Sequence, residues 1–277
     1  MCHPACSPAK LQKSFEKWPG WTGLHRVTFV TFVTCRPFSL DTVWLNLYRR
    51  GHARWDARMK LIIGNKNYSS WSLRGWLAAK QSGLSFEEIV VPLFGENWEA
   101  DKQSGQIMPS SGKVPLLWDE EVVVWDSLAI MEYLADKVGR DRFWPKDDVA
   151  RGMARAMVAE MHSSFQALRS ECPMNVRKRF DGFEPSEACK ADIIRILGLW
   201  AEARSRFGSG GPFLFGTFGA ADVFFAPVVS RFISYQIPVP GFAAAYMQAL
   251  WEHEWMTGWI EASENEEWVI EQYETLS

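Results

Sequence analysis

Asn67-Tyr68-Ser69-Ser70-Trp71-Ser72-Leu73-Arg74 is the stretch that decides the fold, because it follows the apolar run Lys60-Leu61-Ile62-Ile63-Gly64 and opens a helical pattern ending at Gly83. A strand, a polar loop and a Ser-rich helix start bring hydroxyls and unpaired backbone N–H groups to one point. The helix macrodipole and the free donors both favour negative charge there. Working outward, Phe86-Glu87-Glu88-Ile89-Val90-Val91-Pro92-Leu93 reads as a second strand, so 60–93 is a βαβ unit with parallel strands.

A short polar helix is expected near 96–104. Val114-Pro115-Leu116-Leu117-Trp118 and Val122-Val123-Val124-Trp125, joined by Asp119-Glu120-Glu121, then predict an antiparallel hairpin. From Ser127 to Lys137 the apolar residues Leu128, Ile130, Met131, Tyr133 and Leu134 recur at helical spacing. The order βαββ is thereby extended to βαβαββα over residues 59–138. Asp141-Arg142-Phe143-Trp144-Pro145-Lys146 falls in a linker at 139–147, and 148–277 reads as helices only, near 148–170, 186–207, 220–235 and 243–262, with Phe213-Leu214-Phe215-Gly216 a buried connector.

Residues 1–58 differ in kind. They hold nine Lys/Arg against three Asp/Glu and three of the five cysteines, so the net charge of -3 averages a basic segment and an acidic remainder. Their one apolar run, 27–33, is too short to span a bilayer and too deep in the chain for a signal peptide. The segment reads as a disordered tail or a non-native N-terminal extension, because Met59 opens a well-formed strand at once. Cys2, His3 and Cys6 lack a fourth ligand at sensible spacing, so no metal site is expected. The acidic remainder, with its dispersed basic residues, argues against nucleic-acid binding.

With these elements in place, residues 59–277 resemble the cytosolic glutathione transferases, whose fold is an α/β thioredoxin-like domain followed by an all-α helical domain. Ser69-Ser70-Trp71-Ser72-Leu73-Arg74 is similar to the Ser-Ser-Cys-x-x-Arg signature of the zeta class, which makes the resemblance Ser-type and bacterial zeta-like. Gly112-Lys113-Val114-Pro115-Leu116-Leu117 resembles the family's loop before the third strand, and Trp125-Asp126-Ser127-Leu128-Ala129-Ile130 its acidic-Ser motif. Gly216 to Asp222 is similar to the capping box of the second domain, with Gly219 where Ser or Thr is usual; glycine still caps, so the helix should form.

The resemblance implies glutathione as co-substrate, bound by Lys113, Val114, Pro115, Asp126 and Ser127, with a cis bond at Val114-Pro115. It implies that Ser69, or failing that Ser70, donates a hydrogen bond to the thiolate. A thiol of pKa about 8.5 needs roughly 2.7 kcal/mol to drop by about two units. A helix dipole supplies about 0.3 to 1 kcal/mol and a hydrogen bond to a charged acceptor about 1.5 to 3, so a hydroxyl closes the gap. The competing account makes Ser69 and Ser127 simple helix caps. Met161, His162, Phe165 and Arg169 match the segment facing the electrophile pocket in relatives, although Met161 and Phe165 also suit a core.

The implied activity is conjugation of glutathione to a hydrophobic electrophilic small molecule in detoxification, by a cytoplasmic homodimer that uses no membrane. Glutathione-dependent isomerisation or peroxide reduction, or ligand binding without turnover, are the alternatives. Trp71 stands where the zeta class has Cys, which speaks against isomerisation of the maleylacetoacetate kind and against disulfide exchange. Cys172 and Cys189 are expected to be buried thiols.

Overall fold

A computed structural model describes residues 59–276, all within the compact unit Leu47–Ser277. The N-terminal extension and the Cys2, His3 and Cys6 trio therefore lie outside the described residues. Strands β1 (Met59–Ile63), β2 (Phe86–Val90), β3 (Leu116–Asp119) and β4 (Val122–Trp125) form one sheet in the order β2-β1-β3-β4. β1 pairs with β2 in parallel, Met59 opposite Phe86, whereas β1–β3 and β3–β4 are antiparallel. The βαβ unit and the hairpin thus form as expected. β2 stops at Val90, three residues short of the predicted end. Pro92 cannot donate to a ladder, and the Leu93 N–H turns instead to the Asn65 Oδ1 at 2.7 Å.

Helix α1 (Ser70–Ser82) begins at the Ser69 cap and ends at Gly83, whose φ of 71° lets its N–H reach the Lys80 carbonyl. Its Gly75 is forced by proximity: a Cβ there would stand 2.8 Å from the Pro115 ring. α1 and the Val114-Pro115 turn are consequently packed backbone to ring. Helices α2 (Trp98–Gln103) and α3 (Ser127–Val138) complete the sheet layer.

Beyond Asp148 all regular elements are helical: α4 (Asp148–Ser163), α5 (Gln166–Glu171), α6 (Glu187–Phe207), α7 (Ala220–Ser234), α8 (Gly241–Trp251) and α9 (Glu254–Glu264), with short 3-10 turns between some of them. Two expected helices are each divided. The 148–170 helix breaks where Ser163 bonds back to the Ala159 carbonyl and Phe165 adopts a φ of 63°. The 243–262 helix breaks before His253, whose ring accepts the Trp255 N–H at 3.3 Å and caps α9.

One continuous apolar core runs from the sheet through α1 and α3 into α4, α6, α7 and α8, with Leu61, Leu77, Trp200 and Phe225 fully buried in it. At the start of α7, Asp222 accepts the Gly219 N–H at 2.9 Å and the Leu214 N–H at 3.1 Å. Glycine therefore serves at the cap, and the same carboxylate ties the 213–216 connector to the helix, with Leu214 buried.

Candidate active site

Two helix N-termini converge on a cavity of about 510 Å³ lined by Trp71, Ser110, Ser111, Lys113, Val114, Pro115, Trp125, Asp126, Ser127 and His162. The first terminus is that of α1. Ser69 is the N-cap: its Oγ accepts the Ser72 N–H at 3.3 Å and donates to the Ser72 Oγ at 2.7 Å, which in turn accepts the Gly64 N–H at 2.9 Å. The Ser69 proton is thus engaged inside the loop. Ser70 has no side-chain hydrogen bond among the described residues, and neither does the Trp71 N–H have a partner there. Ser69 and Ser70 are both largely buried, and only Trp71 of this trio reaches the cavity wall.

The second terminus is that of α3. Asp126 is its N-cap, held at φ 65° and ψ 146°, with Oδ1 accepting the Leu128 N–H at 2.8 Å. A non-glycine residue at that backbone setting costs about 1–3 kcal/mol, and such strain persists where the surroundings impose it, commonly at functional sites. Ser127 follows at the first helical position, 1% exposed, with its Oγ buried and lacking a partner among the described residues. The Asp126 Oδ2 stands 3.3 Å from the His162 Nε2 across the cavity. Burial raises the Asp126 carboxyl, but the hydrogen bonds from His162 and the α3 backbone outweigh it and hold the group below the usual carboxylate range.

Val114-Pro115 is a cis peptide, as the resemblance implied. The turn leading into it is closed by Ser110, whose Oγ accepts the Lys113 N–H at 3.0 Å and donates to the Lys113 carbonyl. Val114 itself makes no backbone hydrogen bond among the described residues, so its N–H and carbonyl are left for whatever fills the cavity.

Beneath the wall lies a group of arginines that sequence reasoning did not single out as a set. Arg74 is fully buried; its Nε donates to the Phe224 carbonyl at 3.1 Å, its Nη1 to the Ser70 carbonyl at 3.2 Å, and its Nη2 has no partner among the described residues. The guanidinium of Arg74 lies 4.8 Å, and that of Arg169 4.7 Å, from the centre of the Trp71 ring. Arg231 is buried against the Cys172 and Pro227 carbonyls. None of the three forms an ion pair with a carboxylate among the described residues. Burial, then the neighbouring Arg169 and Arg231 charges, lower the Arg74 pKa well below its ordinary value, and burial brings Arg231 down to about 10. The result is a group of largely buried guanidiniums behind the start of α1, with the Asp126 and Asp192 carboxylates acting on Arg74 and Arg169 through space and not in a direct ion pair.

The structure brings Lys113, Val114, Pro115, Asp126, Ser127 and His162 to one cavity. It does not bring Met161 or Phe165 there: both are core residues, at 0% and 4% exposure. Arg169 reaches the site only from behind, through the Trp71 ring, while its side chain caps the Ser164 and Met161 carbonyls at the end of α4. Cys172 and Cys189 are buried free thiols, and burial pushes the Cys189 thiol up to about 11 and Cys172 higher still. Neither is a thiolate at neutral pH.

Fold and site together define a class: a thioredoxin-like sheet layer joined to an all-helical one, with a cavity lined by Lys113, Asp126 and His162 where they meet. Residues 68–137 match the family described as glutathione S-transferase, N-terminal domain. The chain is 27% identical over 175 residues to glutathione S-transferase 1 of Dianthus caryophyllus, covering 62% of this chain and 76% of that protein. It is 35% identical over 101 residues to "Probable maleylacetoacetate isomerase" of Caenorhabditis elegans, covering 36% of this chain and 45% of that protein. A solved glutathione transferase homolog from Burkholderia with bound glutathione superposes with a TM-score of 0.57 at 22% identity, over 76% of this chain and 99% of that one. These matches support the glutathione S-transferase family for this chain and establish the fold.

Proposed function

We propose that this protein is a glutathione transferase that activates the thiol of glutathione at the N-terminus of α1 and adds it to a hydrophobic electrophile. In this reading 59–138 is the glutathione-binding domain, 139–147 the linker and 148–277 the helical domain, and two copies form a homodimer. The observation that carries it is the convergence of Lys113, the free Val114 backbone, the strained Asp126 and the unpartnered Ser127 hydroxyl on one cavity. A γ-glutamyl group carries an ammonium and a carboxylate side by side, and Asp126 with Ser127 at a helix start offers a partner to each. Val114 would pair with the cysteinyl backbone, and Lys113 attracts the glycyl carboxylate.

For the thiolate, Ser70 is the better donor than Ser69, because the Ser69 proton already serves Ser72. The Ser70 hydroxyl, the unpaired Trp71 N–H and the buried arginines act in the same direction. A charge-assisted hydrogen bond and the helix terminus together supply about 2–4 kcal/mol, enough for the required shift of roughly two units. The test is a pH titration of the ultraviolet difference spectrum of glutathione bound to the full chain. A thiol pKa well below the free value of about 8.5 is expected. Absence of binding, or an unshifted thiol, would replace this reading with a ligand-binding protein without turnover.

Isomerisation by the same thiolate is the second reading, motivated by the relative named as an isomerase. Trp71, with two guanidiniums within 5 Å of its ring centre and His162 edge-on at 5.3 Å, occupies space a small residue would leave open, which favours the transferase.

A further inference from the structure

The loop that presents the start of α1 is held from outside its own domain. Lys66 and Asn67 expose two consecutive peptide groups, and every N–H and carbonyl of the pair is bonded to the helical part of the chain. The Lys66 N–H donates to the Glu266 Oε1 at 2.6 Å and the Asn67 N–H to its Oε2 at 3.1 Å. The Lys66 carbonyl accepts the Trp259 indole N–H at 2.9 Å, and the Asn67 carbonyl accepts the Val176 N–H at 3.1 Å. The Asn67 Oδ1 takes the Arg177 N–H at 3.0 Å, and Arg177 returns a bond to the Glu266 carbonyl at 2.8 Å. The next residue, Tyr68, donates its hydroxyl to Glu274 at 2.6 Å.

We propose that Glu266 is a positioning residue for the active site, the clamp through which the segment after α9 sets the direction of the α1 N-terminus. Two successive N–H groups pointing one way form a small anion-binding concavity, and a carboxylate is the side chain with two acceptors to fill it. The loop's placement passes directly to the cap, because the Asn65 carbonyl accepts both the Tyr68 and Ser69 N–H groups at 3.3 and 2.9 Å. A shift of the 66–67 peptides therefore moves Ser69, Ser70 and Trp71 relative to Val114 and Asp126, which belong to separate turns. The catalytic consequence rests on the glutathione reading; the structural one rests only on these hydrogen bonds.

The experiment compares the full-length wild type with Glu266→Gln, whose amide can accept one N–H but opposes the other with its own, and with Trp259→Phe, which removes the bond to the Lys66 carbonyl together with one ring of a buried indole but leaves the Glu266 carboxylate in place. In Glu266→Gln the bound thiol pKa should rise by about one unit and kcat fall roughly tenfold, while KM for glutathione stays within about threefold because the α3 grip is untouched. Trp259→Phe should move both in the same direction by less. Amide hydrogen exchange without ligand should quicken at least about tenfold over residues 65–72 in Glu266→Gln, with β1 and the body of α1 unchanged. Unaltered exchange and thiol pKa in a folded Glu266→Gln would overturn the clamp. If Glu266→Gln does not fold, the same readouts on Trp259→Phe decide, and no change there overturns it too. Failure of the wild type to bind glutathione would strike the transferase reading alone, since the exchange comparison still judges the clamp.

Discussion

The two helix starts that face the cavity look alike in sequence and differ in what they leave free. At α1 the cap serine is closed into a local network, with the Ser72 Oγ accepting from both the Ser69 hydroxyl and the Gly64 N–H, so the local structure consumes the hydroxyl that the motif offers. At α3 the cap is an aspartate, and the serine one place further on has a buried hydroxyl with no partner among the described residues. A satisfied cap stabilises its helix by about 1 kcal/mol and has little left to give a ligand, whereas an orphaned hydroxyl is a local cost that a ligand can remove. Stability and binding are thus divided between neighbouring positions, and the division can be tested.

The largest effect is expected at the charged grip. Asp126→Asn keeps the Leu128 cap and tolerates the positive φ, but loses the charge, so glutathione affinity measured by calorimetry should fall about tenfold to a hundredfold. A loss under about threefold would mean that α3 does not hold the ammonium. Next in size is Ser70→Ala, for which the bound thiol pKa should rise by about one unit and kcat/KM drop roughly tenfold with the melting temperature nearly unchanged. Ser69→Ala should invert that pattern: about 1 kcal/mol less stable in denaturant unfolding, with a smaller change in the thiol. Equal thiol shifts in the two variants would erase the distinction drawn between them.

The architecture was legible because each early element carries its own local signal: the continuous apolar run of β1, the Gly83 stop and the tight Asp119-Glu120-Glu121 turn. The cis bond and the gathering of Lys113, Val114, Asp126 and Ser127 followed from motif resemblance. What escaped was decided by tertiary contacts. Whether Ser69 or Ser70 has a free proton depends on the Ser72 rotamer, and Phe165 left its helix through a positive φ that no propensity favours. The arginine group joins Arg74, Arg169 and Arg231 from three separate helices. Glu266, some 200 residues from the loop it holds, sits among ordinary surface acids near the chain's end and has no sequence mark of its own.

Ser127→Ala gives the smallest effect and the sharpest one, because its two consequences have opposite signs. Among the described residues the buried Ser127 Oγ has no partner, and a buried polar group without one costs about 1–3 kcal/mol relative to one that is satisfied. Alanine fits the same space without the polar atom and keeps good helix propensity at the first position of α3. Unliganded stability in urea should therefore hold or rise by up to about 1 kcal/mol, since water satisfies the serine in the unfolded chain and no protein group among the described residues does so in the fold. Glutathione affinity should meanwhile fall about twofold to tenfold, the worth of one net hydrogen bond. If Ser127 were only a helix-start serine, stability would drop and affinity would not change. If both fell together, the hydroxyl would have a partner in the resting protein, and the contrast between the two helix starts would collapse.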